Sequence, residues 1–214
     1  MNAMAENYKN QSPAYHGIRN AKYCVRGEGG AAGSTVASLA FAKSISFEPA
    51  VETLDVYAND QKVLALISDK GYSGEFGTTA QDRTFETSLG QSIEVENGTA
   101  DINIIGYKRF DMYYEYTEYT SSNNLPYTVK VWVLNVEASK ATKEYNTNED
   151  TPTIGEYLYP ITVYGDKILD KEGTNTYKDA NGNELVATRV IAVPSDTGYA
   201  TFGDSVPKVK MKTE

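Results

Sequence analysis

The chain has 214 residues, with 29 Asp and Glu against 20 Lys and Arg, a net charge of −9, one histidine and one cysteine. One cysteine excludes an intrachain disulfide and a cysteine-cluster zinc site, and one histidine excludes a metal centre built on several imidazoles. The acidic balance argues against gripping nucleic acid through a basic face, because that affinity comes from Lys and Arg displacing phosphate counterions.

The length suits a single domain with a core large enough to need no disulfide or metal staple. No window approaches the roughly 18 apolar residues of a membrane span, and no apolar signal-peptide core follows Met1, so a soluble, untargeted protein is expected. The 17 tyrosines, together with many Val, Ile and Thr, favour strands.

Residues 1–13, MNAMAENYKNQSP, are polar and aperiodic and read as a flexible arm. YHGIRNAKYCVRG gives a first strand, closed by the glycine-rich loop GEGGAAGS. In the next run Leu39, Phe41, Ile45 and Phe47 occupy odd positions, with Lys43 the exception and small or polar residues between. Period two predicts a strand with one buried face. ETLDVYA and KVLALISD read as two short strands around Asn59-Asp60, and GYSGEFG as a turn from which the chain extends again. A helix is predicted over Thr79 to Leu89: Thr78 can cap it with Gln81, Phe85 and Leu89 share a face, and Gly90 stands at its end.

ADINIIGYKRFDMYYEYTEYT and YTVKVWVLNVEAS then predict the longest strand pair, joined through SSNNLP. Trp132, Leu134 and Val136 are assigned to one face of the second strand, and Val129, Val131 and Val133 to the other. A strand apolar on both faces is covered on both sides or packed by another subunit. LYPITVYGDKIL and LVATRVIAV supply further strands, with KDANGNE turning between them at Asn181-Gly182. PKVKMKTE closes the chain. The organisation is thus an arm at 1–13, one mainly β domain at 14–203 with a single short helix, and a charged tail at 204–214.

Candidate chemistry fails on spacing. GEGGAA, Gly27 to Ala32, fits the glycine pattern of a dinucleotide fold, with Glu48 downstream, but the period-two run after it leaves no helix N-terminus for a pyrophosphate. Around Ser73 the second glycine comes one residue too early for a nucleophile elbow. A serine–histidine pair has only His16 to draw on, which reads as a strand-edge residue. The calcium-loop pattern from Asp179 has Glu184 where glycine is required and Val190 where the last acid belongs, so it reads as a turn. Asn97-Gly98-Thr99 matches a glycosylation acceptor and is also read as a turn. A glycosidase would pair carboxylates with several tryptophans; the only tryptophan, Trp132, lies in a core strand. No catalytic residue, cofactor or metal is expected. In YYEYTEY, alternation sets Tyr114 and Tyr116 on one face and Tyr113 and Tyr119 on the other, the latter pair being candidates for contact with a neighbouring subunit.

The order of these segments resembles the major tail proteins, the tail-tube subunits, of long-tailed phages and prophages of Gram-positive bacteria. A short arm precedes GIRNAKYCV, then SISFEPAVETLDVYANDQKVLALISDKGYSGEFG, the helix AQDRTFETSLG, GYKRFDMYYEYTE and NTNEDTPTIGEYLYPITVYG. The resemblance covers most of residues 14 to 200. The stretch TNTYKDANGNELVATRVIAVPSDTG departs from it.

The resemblance implies a β-sandwich or barrel-like core flanked by a helix, in a virion protein assembled in the bacterial cytoplasm. Six subunits form a ring, and rings stack into a tube through which DNA leaves without specific binding. Its partners are copies of itself and the tail tip or baseplate, tape-measure and tail-terminator proteins. Val56, Tyr57, Asn59, Asp60, Gln61 and Lys62 are the residues expected to touch the adjacent ring or subunit. Two other readings stand beside this one: a carbohydrate-binding or adhesive β module, drawn from the tyrosines, and a small β-fold hydrolase.

Overall fold

The computed structural model describes residues 16–58, 61–103, 106–120, 125–143 and 155–212, and of residues 16, 54, 56–58 and 62–69 it describes the backbone. The fold is mainly β, as expected. The strands are β1 (His16–Val25), β2 (Ala37–Ser38), β3 (Ala42–Ala58), β4 (Gln61–Thr78), β5 (Ser92–Val95), β6 (Gly98–Asp101) and β7 (Phe110–Tyr119), followed by β8 (Pro126–Ala138), β9 (Tyr157–Val163), β10 (Asp166–Lys167), β11 (Val186–Ala187) and β12 (Arg189–Ala192). The helix α1 (Arg83–Ser88) lies between β4 and β5.

The main sheet is antiparallel with the order β2-β1-β7-β8-β9-β4-β3, and β12 joins it on β8; β5–β6 and β10–β11 form separate pairs. The segment 37–58 serves both ends of this path. Ser38 pairs with Lys22, and the Leu39 amide donates to the Ala21 carbonyl at 2.8 Å, whereas everything from Ala42 onward pairs with β4. The chain through Leu39 to Phe41 therefore links the two ends of the path covalently, next to an aromatic core.

Phe85 is the hub of that core. Its ring meets Tyr23, Phe110, Tyr159 and Phe76 edge-on at 4.9, 5.2, 5.7 and 6.3 Å between centroids. Phe85 and Leu89 are both fully buried, so one face of α1 fills the interior as the sequence predicts. The helix is shorter than predicted and starts later. Thr78 is still in β4, with its hydroxyl donating to the Ala80 carbonyl. Asp82 is the cap, accepting from the Phe85 amide at 3.0 Å and from the Ala40 amide at 3.1 Å. Gly90, at φ 76°, ends it.

Three further expectations are corrected. Phe41 has φ 62° and is 58% exposed, because the chain swings there from β1 to β4 and breaks the alternation begun at Leu39. ETLDVYA and KVLALISD are the outer halves of β3 and β4, which form the longest pair in the molecule. GYSGEFG is not a turn: its glycines serve close approach, since a Cβ on Gly74 would lie 2.0 Å from the Ser46 carbonyl oxygen.

Val136 joins Val129, Val131 and Val133 on the inner face, not Trp132 and Leu134 on the outer one. Asn135, at φ 55°, inserts a bulge and reverses the alternation. Just there the edge of β8 passes from β12, paired at Lys130–Val133, to β9, paired at Val136–Ala138.

Candidate functional site

The pairing of β4 with β9 ends at Tyr72↔Val163, while its pairing with β3 runs on to Ala58↔Gln61. Beyond Tyr72 the hairpin leaves the sheet as a two-stranded ribbon. At about 3.3 Å per residue, Val51–Ala58 spans roughly 26 Å. The exit point is marked on both strands, by a register shift between Pro49 and Val51 and by Gly71 at φ 92°. A Cβ on Gly71 would stand 2.4 Å from the Val163 carbonyl oxygen, so glycine is needed where β4 parts from the end of β9. The base is braced by Arg189, whose guanidinium lies over the rings of Tyr72 and Phe47 at 5.1 and 5.8 Å.

Of the predicted contact residues, Val56, Tyr57, Gln61 and Lys62 lie at the tip of this ribbon, with Tyr57 paired to Lys62. Asn59 and Asp60 lie outside the described residues. Val51 is half exposed, and Lys70 pairs with Glu52 across the ribbon at 2.5 Å. A lone two-stranded ribbon is marginal in water, and its two edges offer backbone donors and acceptors to another chain.

The tyrosine cluster divides as the alternation predicts: Tyr114 and Tyr116 face the inner core, and Tyr113 the outer side. Tyr113 is nevertheless not a surface contact. It is 1% exposed, packed on Trp132 at 5.3 Å, with Phe202, Val206 and Val209 over the same cluster. The chain thus covers the second apolar face of β8 with its own C-terminal segment. Tyr119 is partly buried at the end of β7.

Polar latches fix this cover. The Trp132 indole donates to the Phe202 carbonyl at 2.7 Å, Lys22 to Gly203 at 2.9 Å, and Lys130 to Tyr199 and Ala200 at 2.8 and 3.1 Å. Further on, the Leu169 amide donates to Val209 and the Met211 amide to Leu169. The stretch expected to be a tail from 204 is held against the domain as far as Met211. Burial, and the bond its hydroxyl donates to Glu115 at 2.6 Å, push the Tyr113 phenol well above its ordinary value.

One buried network gave no signal in the sequence. Arg26 donates through Nε to Asp111 at 3.0 Å, through Nη1 to Asp166 at 2.8 Å and to the Gly30 carbonyl at 2.9 Å, and through Nη2 to both carboxylates. Asp111 is fully buried at the bulge and also accepts from the Asn135 amide at 2.9 Å. Burial pushes its carboxyl up, and the guanidinium and amide hold it back. The guanidinium ties β1, β7 and β10 at one point. Its donors are taken up by this work, so it is a structural clamp.

Of the other candidates, the glycine-rich loop and Asp179 lie where the sequence placed them, whereas Ser73 is in a strand and not in a turn. Gly27 to Ala32 is an exposed loop with a single 3-10 turn, followed by strands. Ser73 is in mid-β4, and the backbone of His16 opens β1 opposite Thr117. Asp179 organises a turn, accepting from the amides of Asn181 and Asn183 at 2.8 Å each. Glu96-Asn97 links β5 to β6, and Gly98 opens β6. Compared with protein-family models and with curated proteins, the sequence gives no match.

Proposed function

We propose that the chain is a structural subunit of a phage tail tube, with a barrel-like core, assembling as six-membered rings that stack into a conduit for DNA. The observation that carries this reading is the ribbon formed by the outer halves of β3 and β4, which leaves the sheet at Gly71 and carries Val56, Tyr57, Gln61 and Lys62 of the predicted contact set near its tip. A ribbon of this length gains stability when a neighbouring copy covers it, and the order of sequence segments supports the same assignment. The net charge of −9 supports passage of DNA without adhesion, because acidic walls repel phosphate. Tyr113 and Tyr114 are buried, so these rings are not the stacking platform on which a carbohydrate-binding reading would depend.

The test is electron microscopy of the concentrated protein, with and without tail tips as seeds. Rings or tubes are expected from the intact chain. Removal of Tyr57 to Gln61 should leave a folded monomer that does not polymerise. Normal tubes from the shortened chain would remove the ribbon from the interface. An intact chain that stays monomeric even with seeds would overturn the reading itself.

A further inference from the structure

The main sheet is left open at β12. Among the described residues this strand pairs with β8 and with no other element. The Leu134 amide donates to the Thr188 carbonyl at 2.9 Å, and the pairing runs on without a shift to Ala192↔Lys130. Residues of an antiparallel ladder alternate between bonding to the neighbour and facing away from it. Counted from Thr188, Val190 and Ala192 turn their backbone groups to β8, whereas Arg189 and Ile191 turn theirs outward. Val193 is closed off, since its amide donates to the Asp196 carboxylate at 3.0 Å and its carbonyl accepts from the Asp196 amide at 2.8 Å.

A groove of about 780 Å³ lies along this edge. Val190 and Phe202 of the outer cluster line it together with Tyr116, Val129 and Val193 of the inner core, so it wraps the rim of the strand and not one face of the sheet. Ile191 is 48% exposed within it. The groove's own carboxylates are engaged: Asp196 holds Val193, and Glu118 accepts from the Tyr127 hydroxyl. Lys210 and Lys212, exposed in its wall, have no carboxylate partner among the described residues. Open backbone groups, an apolar floor and unpaired positive charge together fit an extended strand that is acidic and partly apolar.

The chain itself carries such a strand. β3 ends the path of the main sheet, and its outer half, Val51–Ala58, contains Glu52 and Asp55 and no lysine or arginine. Leu54↔Leu66 and Val56↔Leu64 are opposed in the ribbon, and period two places these four residues on one face. The exposed pair of Glu52 with Lys70 is no obstacle, because such pairs contribute little in water. We propose that the open edge of β12 receives the β3 edge of the ribbon of a second copy, its apolar face against Ile191 and its carboxylates matched by Lys210 and Lys212. This rests on the assembly reading and deepens it. Groove and ribbon are different surfaces, so the contact is heterologous: each copy that docks brings a new groove and a new ribbon, and growth does not stop at a dimer.

The test is a charge exchange in the full chain, read by sedimentation velocity and electron microscopy. Lys210→Glu with Lys212→Glu, or Glu52→Lys with Asp55→Lys, sets like charges against each other and should raise the concentration needed for assembly at least about tenfold. All four substitutions in one chain reverse both sides of the contact and should restore assembly. Ile191→Asp, at a half-exposed position, blocks the groove without touching the ribbon and should act as either pair does. Urea unfolding checks that every variant is folded. If the wild type assembles and neither pair nor Ile191→Asp weakens it, or the four together do not restore it, this contact is overturned and the assembly reading stands. A wild type that stays monomeric even with seeds overturns both.

Discussion

The clamp at Arg26 shows what single residues do in this fold. Asp111 is fully buried, and Arg26 is its only cationic partner among the described residues. Replacing Arg26 by Leu leaves that carboxylate uncompensated in the core, where loss of one partner of a buried pair costs about 3–5 kcal/mol. Urea unfolding should show a loss of this order, with Arg26→Lys intermediate because an ammonium cannot reproduce the forked contact to two carboxylates. Gly71 is the other single position on which the proposed function depends. Gly71→Ala meets both a positive φ and the Val163 carbonyl oxygen at 2.4 Å, so a destabilisation above the roughly 1–2 kcal/mol of left-handed strain alone is expected in the same assay. Neither residue announced itself in the sequence. Arg26 and Asp111 are 85 positions apart, and a charged pair that meets only through the fold leaves no local pattern. Gly71 sat inside GYSGEFG, whose glycines suggested a turn, whereas the structure uses Gly71 to bend a continuous strand and Gly74 to bring two strands close.

Among elements, β1, β7, β8 and β9 were legible because alternation in them reflects one buried face against a neighbour. The reading failed where geometry overrides alternation. The bulge at Asn135 moved Val136 to the inner face, and the crossing at Phe41 exposed a ring that the pattern had buried. The C-terminal segment was missed for a different reason: Phe202, Val206 and Val209 are too sparse to read as an element, and they matter only because Tyr113 and Trp132 need a cover. This cover gives a prediction with a built-in reporter. The only cysteine, Cys24, is fully buried in the same cluster, and burial pushes its thiol up. Ending the chain after Thr197 should expose Cys24 to thiol reagents and speed its modification many-fold, while the inner core around Phe85 keeps its near-ultraviolet signal. Trp132→Phe removes the indole donor to Phe202 and part of a fully buried ring, and should cost about 2–3 kcal/mol, with a smaller rise in reactivity. If Cys24 reacts at the same rate in the shortened chain, the segment is not what shields it.

Across the whole molecule, the abundance of tyrosine that marked the sequence as β-rich also fixes how the fold responds to alkali. Burial raises the phenols of Tyr113 and Tyr159, and each donates its hydroxyl to a carboxylate, Glu115 and Glu86 respectively, which further favours the neutral form. Tyr199 is raised as well, again mainly by burial. In the unfolded chain all these phenols ionise near pH ~10. Above that pH the unfolded state has released protons that the folded state still holds, so the native form binds more protons and stability falls as pH rises. The contribution is fully present below the unfolded value and is lost progressively above it, at up to about 1.4 kcal/mol per pH unit for each of Tyr113 and Tyr159. Urea midpoints should therefore be flat from neutral to mildly alkaline pH and then drop steeply. In the folded protein only the more exposed members of the 17 tyrosines should ionise reversibly, the remainder appearing in one step with unfolding. Tyr159→Phe keeps the ring against Phe76 and Phe85 but removes one titrating group, and its stability should decline less steeply with pH than that of the wild type. A single native-state titration of every tyrosine, with no break at the unfolding transition, would show that Tyr113 and Tyr159 are open to solvent in a way that this fold does not allow.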